Sequence, residues 1–318
     1  MNQTALIVCL CVFIPLLILV LFCLKKSKNN KHRNLQGQVI IITGSNQGIG
    51  FEVAKDCSRS GARVILACRN REKSQSAIDE INQINPGSVD FIKLDLSDLS
   101  SVRQFVKEFQ SKYNKLDILI NNAGIIMQQR VMTKDGLETQ IATNHFGPFL
   151  LTNLLLDSLK ASNQFRVITV TSWAFQFTNI DFDDINFEKR KYKNMDVYGQ
   201  SKVANTLFTI GLQQKIDQLN LNGISVCLHP GSVRTNMFQN FSPIFKCIYF
   251  CLYPIIFLTT KSTSQGAQTA FYCIHEDYDK LNKAAYYEDC KQKLYKAKSI
   301  TEENVQKLWA MSTKIVNL

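Results

Sequence analysis

Hydrophobic and polar positions divide this chain of 318 residues into three regimes. Residues 4–24 form an apolar run without a charge. From Gln38 onward, short β-branched runs alternate with longer segments whose apolar residues recur every three or four positions, the pattern of βαβ units around a parallel sheet. Strands are expected at 39–43, 63–67, 89–93, 118–121, 166–171 and 225–228, and helical periodicity covers 51–60, 72–85, 100–113, 137–161 and 199–219. The strands do not alternate apolar with polar, so both of their faces are buried, as in an α/β doubly wound parallel sheet with helices on both faces. The third regime, 241–258, is apolar and aromatic but is interrupted by Lys246 and Pro254. Its uninterrupted pieces are too short to span a bilayer, which leaves an apolar lid dipping into a membrane surface or a plain core helix. Near the end, Ser299-Ile-Thr-Glu302 has the form of a capping box, opening a helix with Val305, Leu308, Trp309, Ser312, Ile315 and Val316 on or near one face.

The first run would be about 31 Å long as a helix at ~1.5 Å per residue, which matches a bilayer's hydrocarbon core. Its uncharged start and its end in Phe22-Cys23-Leu24-Lys25-Lys26 favour an uncleaved anchor over a signal peptide. Five of the charges behind the formal net +11 (Lys25, Lys26, Lys28, Lys31, Arg33) crowd beside it, so the rest of the chain is expected in the cytosol. The expected organisation is a transmembrane anchor over 1–24, a basic juxtamembrane linker over 25–36, and one domain over 37–318. No helix-turn-helix, zinc-finger or RNA-binding signature accompanies the remaining positive charge, so nucleic acid is not an expected partner. Ten cysteines without framework spacing read as reduced, small apolar residues. Cys247 and Cys251 lack companions and the four histidines lack ligand spacing, so no metal is expected.

Candidate chemistry begins where the first strand meets Thr43-Gly44-Ser45-Asn46-Gln47-Gly48-Ile49-Gly50. Glycines there let backbone amides approach a diphosphate at a helix N-terminus, where the helix dipole favours an anion. With a strand before and a helix after, Gly44, Ser45, Asn46, Gly48, Ile49 and Gly50 form a candidate dinucleotide site in a single Rossmann-like domain. After the second strand an acidic residue would bond an NAD ribose, but this chain has Ala67-Cys68-Arg69-Asn70. Arg69 can bind a 2′-phosphate, which favours NADP(H), unless it is a surface arginine without that role. Asp95, followed by Leu96, is placed to meet an adenine amino group, and Asp98 is expected to cap the next helix, with Ser100 as competitor. Asn122, Ala123 and Gly124, after the fourth strand, would let a flat ring pass close to the backbone.

Tyr198 and Lys202 stand four positions apart on a predicted helix that follows Ser172, the residue closing the fifth strand. A phenol and an ammonium on one helix face allow the cation to favour the phenolate and depress the tyrosine's pKa, which makes it usable as an acid or base. Tyr287 and Lys291 repeat the spacing, without a serine-ended strand before them.

The glycine turn, Asn121-Asn-Ala-Gly124, the strand-ending serine and Tyr-x3-Lys occur together and in order, and in this the chain resembles the short-chain dehydrogenase/reductase superfamily over about residues 37–290. Ala67-Cys-Arg-Asn70, Leu94-Asp-Leu-Ser-Asp98, residues 143–152 and His229-Pro-Gly-Ser-Val-Arg-Thr235 look most like the membrane-anchored, NADP-using retinol dehydrogenases. The resemblance implies Tyr198 as general acid/base, Lys202 lowering its pKa while bonding the nicotinamide ribose, Ser172 holding the substrate oxygen, and Asn144 supporting a relay water. It also implies cofactor contacts from Pro230, Gly231, Val233 and Thr235. The anchor and the apolar lid argue for a lipophilic alcohol and its aldehyde or ketone (retinoid, steroid or long chain), NADPH in a cytosol-facing site favours reduction, and the resemblance with the anchor implies an endoplasmic reticulum membrane. A homodimer through the helices 137–161 and 199–219 is a further expectation. The stretch between Ser172 and Tyr198 is long, carries Phe175, Phe177, Phe182 and Phe187, and either shapes the substrate entrance or forms a solvated loop. Rival readings are a protochlorophyllide-type C=C reductase and a non-enzymatic NADP-binding scaffold.

Overall fold

The computed structural model describes residues 28–234 and 260–318. The expected anchor, residues 25–27 of the linker, Thr235, the 241–258 run, and Cys9, Cys11, Cys23, Cys247 and Cys251 lie outside the described residues. Among the described residues no helix is long and apolar enough to cross a membrane.

All six expected strands form: β1 (Val39–Thr43), β2 (Arg63–Cys68), β3 (Val89–Lys93), β4 (Ile118–Asn121), β5 (Phe165–Val170) and β6 (Gly223–His229). With β7 (Tyr286–Glu288) and β8 (Lys291–Lys293) they make one sheet in the order β3-β2-β1-β4-β5-β6-β7-β8, parallel through β7. Successive side chains of a strand point to opposite faces, and here each face meets its own core. Ile41, Ile65, Leu119 and Val167 enter one, while Ile40, Ile42, Val64, Leu66 and Ile120 enter the other. The second core is closed by α1 (Gly48–Arg59), α2 (Glu72–Ile84) and, late in the chain, the helix Gln268–His275. The first is closed by α3 (Leu99–Lys112), α4 (Gly147–Leu154), α5 (Asn194–Gln218) and the C-terminal helix Glu302–Ile315, numbered α7 after Gln268–His275 as α6.

Several expectations are corrected. The stretch 137–161 is not one helix: Thr139–Ile141 leads into a π turn over Ala142–Phe146, then α4, then Leu156–Lys160. A Cβ on Gly147 would fall 2.3 Å from the Leu96 carbonyl oxygen, so glycine there lets this element press on the loop after β3. Tyr287 and Lys291 lie on β7 and β8, so their four-residue spacing does not put them on one helix face. Asp98 caps α3, accepting from the amides of Ser100 and Ser101, whereas Thr301 rather than Ser299 caps α7. Ser299 instead donates to Asn179 Oδ1 at 2.8 Å.

Much of the α5 flank through which a homodimer is expected is covered within the chain. From Val197 to Gln213 every residue of α5 except Ile210 is buried. α7 lies across it, with Trp309 packed edge-on to Phe149 at 5.1 Å and stacked on Phe208 at 6.2 Å between centroids. Nor is the described part of the linker a free tether. Asn29 donates its amide to Gln268 Oε1 (2.9 Å), Lys31 pairs with Glu276 (3.2 Å), Arg33 donates its amide to His275 Nδ1 (3.1 Å), and Leu35 is fully buried.

Candidate active site

Strand ends β1, β4, β5 and β6 open on one edge of the sheet, and every described residue singled out for chemistry collects there. After β1, Gly44 and Gly48 take φ of +64° and +65°, a region that favours glycine. A Cβ on Gly44 would meet Ala123 Cα at 3.0 Å, while the space in front of Gly48 is open. The turn is held from below. Thr43 Oγ1 accepts from the amides of Asn122 (3.0 Å) and Ala123 (2.9 Å), and Asn122 Nδ2 donates to the Thr43 carbonyl (2.8 Å). Asn122, expected beside the cofactor, therefore also braces the cradle. Ser45 points inward: its hydroxyl donates to the Ile42 carbonyl (2.8 Å) and its amide to Cys68 Sγ (3.2 Å). The N-terminus of α1 has neither a side-chain cap nor an acidic residue in its first turn, which leaves its positive end suited to a phosphate.

Arg69, at the end of β2, is exposed and makes no salt bridge among the described residues. Asp95 is half-buried, with Oδ1 held by the Ser97 amide (3.0 Å) and hydroxyl (2.6 Å), and Leu96 is buried beneath it. The glycine cradle and the helix terminus fit the diphosphate of a nicotinamide dinucleotide.

Ser172 caps the short 3₁₀ turn Trp173–Gln176 at the end of β5, its hydroxyl accepting from the Ala174 amide (3.3 Å) and lying close enough to the Tyr198 phenol to favour its ionised form. Burial pushes the Tyr198 phenol up to about 12, the Ser172 hydroxyl opposing it. Burial also pulls the Lys202 ammonium down to about 8. In the cofactor-free fold desolvation dominates both groups, opposite in direction to the depression of the tyrosine expected from the lysine. Lys202 Nζ donates to the Val170 carbonyl at 2.9 Å and stands 5.5 Å from the centre of the Tyr198 ring. Asn144 sits in the π turn, fully buried, with Oδ1 accepting from the Ile125 amide (2.8 Å) and Nδ2 donating to Ser201 Oγ (3.0 Å). Ser201 in turn donates to the Tyr198 carbonyl (2.7 Å). A Cβ on Gly124 would lie 3.4 Å from Lys202 Nζ and 3.6 Å from Asn144 Oδ1, so glycine keeps open the space that both groups face.

His229, the last residue of β6, and Pro230, Gly231 and Val233 after it line the same edge. A bridge between Val233 and Lys261 and the Lys261 amide bond to the Ser232 carbonyl (2.7 Å) pin this segment. Burial first, then Lys261, lowers His229 to about 4, so it is neutral at physiological pH. Thr43, Val170 and Ser201 are supporting residues that sequence reasoning passed over. Ser201, lying between Tyr198 and Lys202, carried the clearest signal. One cluster, His32, Asp56 and His275, brings ligand atoms within 4.8 Å of one another. His275 Nδ1 accepts the Arg33 amide proton, so Nε2 carries the ring proton and donates to Asp56 (2.5 Å), an arrangement of hydrogen bonds rather than of metal ligands.

Comparison with known proteins agrees with this geometry. The family model described as short chain dehydrogenase matches residues 38–243. Retinol dehydrogenase 12 of Mus musculus is 39% identical over 286 residues, covering 89% of this chain and 88% of that protein. Retinol dehydrogenase 13 of Homo sapiens is 38% identical over 289 residues, covering 89% and 86%. Among solved structures, an uncharacterized protein from Mycobacterium Paratuberculosis superposes with a TM-score of 0.73 at 30% identity, covering 91% of this chain and 96% of that one. Sheet order, cradle and sequence likeness agree, and the chain is an oxidoreductase of the short-chain dehydrogenase family, in its retinol dehydrogenase-like group.

Proposed function

We propose that this protein uses NADP(H) to interconvert a lipophilic alcohol and its aldehyde or ketone, working in the reductive direction, with Tyr198 as general acid/base. The observation that carries the reading is the gathering of Ser172, Tyr198, Lys202 and Asn144 around one space: Ser201 links Asn144 to the Tyr198 backbone, Ser172 acts on the Tyr198 phenol, and Lys202 and Asn144 both face the position that Gly124 leaves open. When bound, the nicotinamide supplies or accepts the hydride at the carbinol carbon. Tyr198, held protonated by burial, donates its proton to the carbonyl oxygen as negative charge develops there, and Ser172 donates a second hydrogen bond to the same atom. Lys202 stabilises the phenolate left behind and bonds the nicotinamide ribose. Asn144 supports the water through which the proton is restored, next to the space that Gly124 leaves open. Gly44, Gly48, Gly50 and the first amides of α1 hold the diphosphate, Arg69 the 2′-phosphate, Asp95 the adenine, and Pro230 to Thr235 the nicotinamide side.

Retinoid, steroid and long-chain carbonyl compounds are the substrate classes to test, supported by the retinol dehydrogenases among its relatives and by the apolar run 4–24, which we read as a single-pass anchor in the endoplasmic reticulum membrane with the domain in the cytosol. The decisive assay follows NADPH consumption by detergent-solubilised protein against that panel, with a Tyr198→Phe variant alongside. General acid catalysis contributes about 10²–10⁴-fold, so the variant loses activity by at least about a hundredfold while still binding NADPH. Equal rates in variant and wild type would remove Tyr198 from the mechanism, and silence of both on every carbonyl would overturn the reductase reading.

A further inference from the structure

The expected linker is a strap with a direction. α6 follows β6 and returns toward β7, so its N-terminus lies at the catalytic edge of the sheet and its C-terminus at the opposite edge. Two observations fix this polarity. A Cβ on Gly266, just before α6, would fall 2.5 Å from Val233 Cγ2 in the segment after β6. At the other end, Arg166 near the start of β5 donates to the carbonyls of Cys273, Ile274 and Glu276. Asn29 is tied to Gln268, the first residue of α6, whereas Arg33 is tied to His275, the last, and the Leu35 amide donates to the Ser60 carbonyl beyond the end of α1. The strap thus descends alongside α6 from the catalytic edge to the base, where it enters β1.

The described strap therefore begins, at Lys28 and Asn29, beside the N-terminus of α6 on the side of the catalytic edge. Only four residue steps separate Leu24, the last of the apolar run, from Lys28, a reach of about 14 Å when fully extended. The same edge carries most of the exposed large hydrophobic residues among the described ones. Of the eight large hydrophobic residues exposed among the described residues, five (Val131, Met132, Trp173, Phe177 and Met195) lie on loops or helix starts that follow strand ends there. Trp173 and Phe177, 52% and 73% exposed, stand edge to face at 4.9 Å immediately after Ser172. The exposed Lys191 and Lys193 flank Met195 and suit an anionic leaflet. Apolar rings at the mouth of a site, rimmed by lysines and tethered within 14 Å of the end of the apolar run at full extension, at ~3.4 Å per residue, match the chemistry of a bilayer surface.

We infer that the catalytic edge of the domain is its membrane-apposed surface, with Trp173 and Phe177 seated in the lipid interface, and that the strap Lys28–Leu35 fixes this orientation. The inference rests on the anchor reading of residues 4–24 and goes beyond it, because an anchor on a free linker would leave the domain unoriented. A substrate held in the bilayer then reaches Ser172 and Tyr198 without crossing water.

The test uses full-length protein in phosphatidylcholine vesicles with brominated acyl chains. The chain has two tryptophans, and Trp309 is packed among Phe149 and Phe208, so Trp173 is the reporter. The expected result is quenching of at least about a third of the emission in wild type relative to unbrominated vesicles, against little in Trp173→Phe. Co-flotation with the vesicles together with equal, weak quenching of both proteins keeps the anchor and overturns the orientation. Failure to co-float overturns both. A Gln268→Ala/Glu276→Ala variant releases the strap, and its Trp173 quenching should fall while co-flotation persists. Unchanged quenching would overturn the role of the strap.

Discussion

Tyr198 and Lys202 share one face of α5, and in isolation that spacing lets an ammonium draw a phenol's pKa downward. In the folded chain water has been removed from both, and each retreats toward its neutral form, Tyr198 up to about 12 and Lys202 down to about 8. For lysine the consequence has a definite sign. Between about 8 and the ordinary 10.5, the unfolded chain binds a proton that the folded chain has shed, so stability rises with pH across that window. From pH 8 to 9.5 the cofactor-free wild type should gain about 1–2 kcal/mol relative to Lys202→Met by urea unfolding, and a constant difference between the two would remove the lysine from this pH dependence. Arg69 carries a separate expectation. Replacing it with aspartate puts a carboxylate where a 2′-phosphate would lie, and the ratio of NADPH to NADH efficiency should fall by at least about tenfold, roughly 1.4 kcal/mol, in steady-state assays. An unchanged ratio would make Arg69 a surface residue. The types and spacing of these residues were legible in the sequence. The balance of desolvation against charge was not, because it depends on how many neighbours the fold packs around each group.

Strands β1 to β6 were legible because β-branched residues fill both faces of a strand that feeds two cores. β7 and β8 were not, since three-residue strands carry no measurable period. The π turn holding Asn144 also escaped, because one extra residue in a helical turn barely disturbs the apolar repeat. The glycine turn was legible as a motif, but its coupling to β4 is tertiary. A Cβ on Gly50 would fall 2.4 Å from Asn122 Nδ2 and 2.7 Å from the Gly44 carbonyl oxygen. Gly50→Ala must therefore displace the Asn122 brace, and NADPH affinity measured by calorimetry should drop by at least about tenfold, roughly 1.4 kcal/mol. Full affinity in that variant would show that the brace is dispensable.

The fold gathers the described candidate residues at one edge of the sheet and packs its C-terminal helix across α5. Trp309 packs so closely on α5 that a Cβ on Gly211 would fall 2.9 Å from its Cε3, and His145 Nε2 meets Ser312 Oγ at 2.9 Å. The protein should accordingly run as a single chain of 36.2 kDa by mass photometry in mild detergent. Cross-links between α5 of two copies would contradict that. The sequence by itself determined the fold class, the order of the strands along the chain, the dinucleotide turn and the identity of the serine, tyrosine, lysine and asparagine candidates, since these depend on local periodicity and on residues a few positions apart. Only the tertiary structure decided that α7 packs across α5, that the basic segment 28–35 is a docked strap beginning on the side of the catalytic edge, and that burial rather than charge governs Tyr198. These depend on contacts between residues far apart in the chain, such as Phe208 with Trp309 and Asn29 with Gln268, 239 positions away, where burial and hydrogen bonding act across the fold and leave no periodic trace.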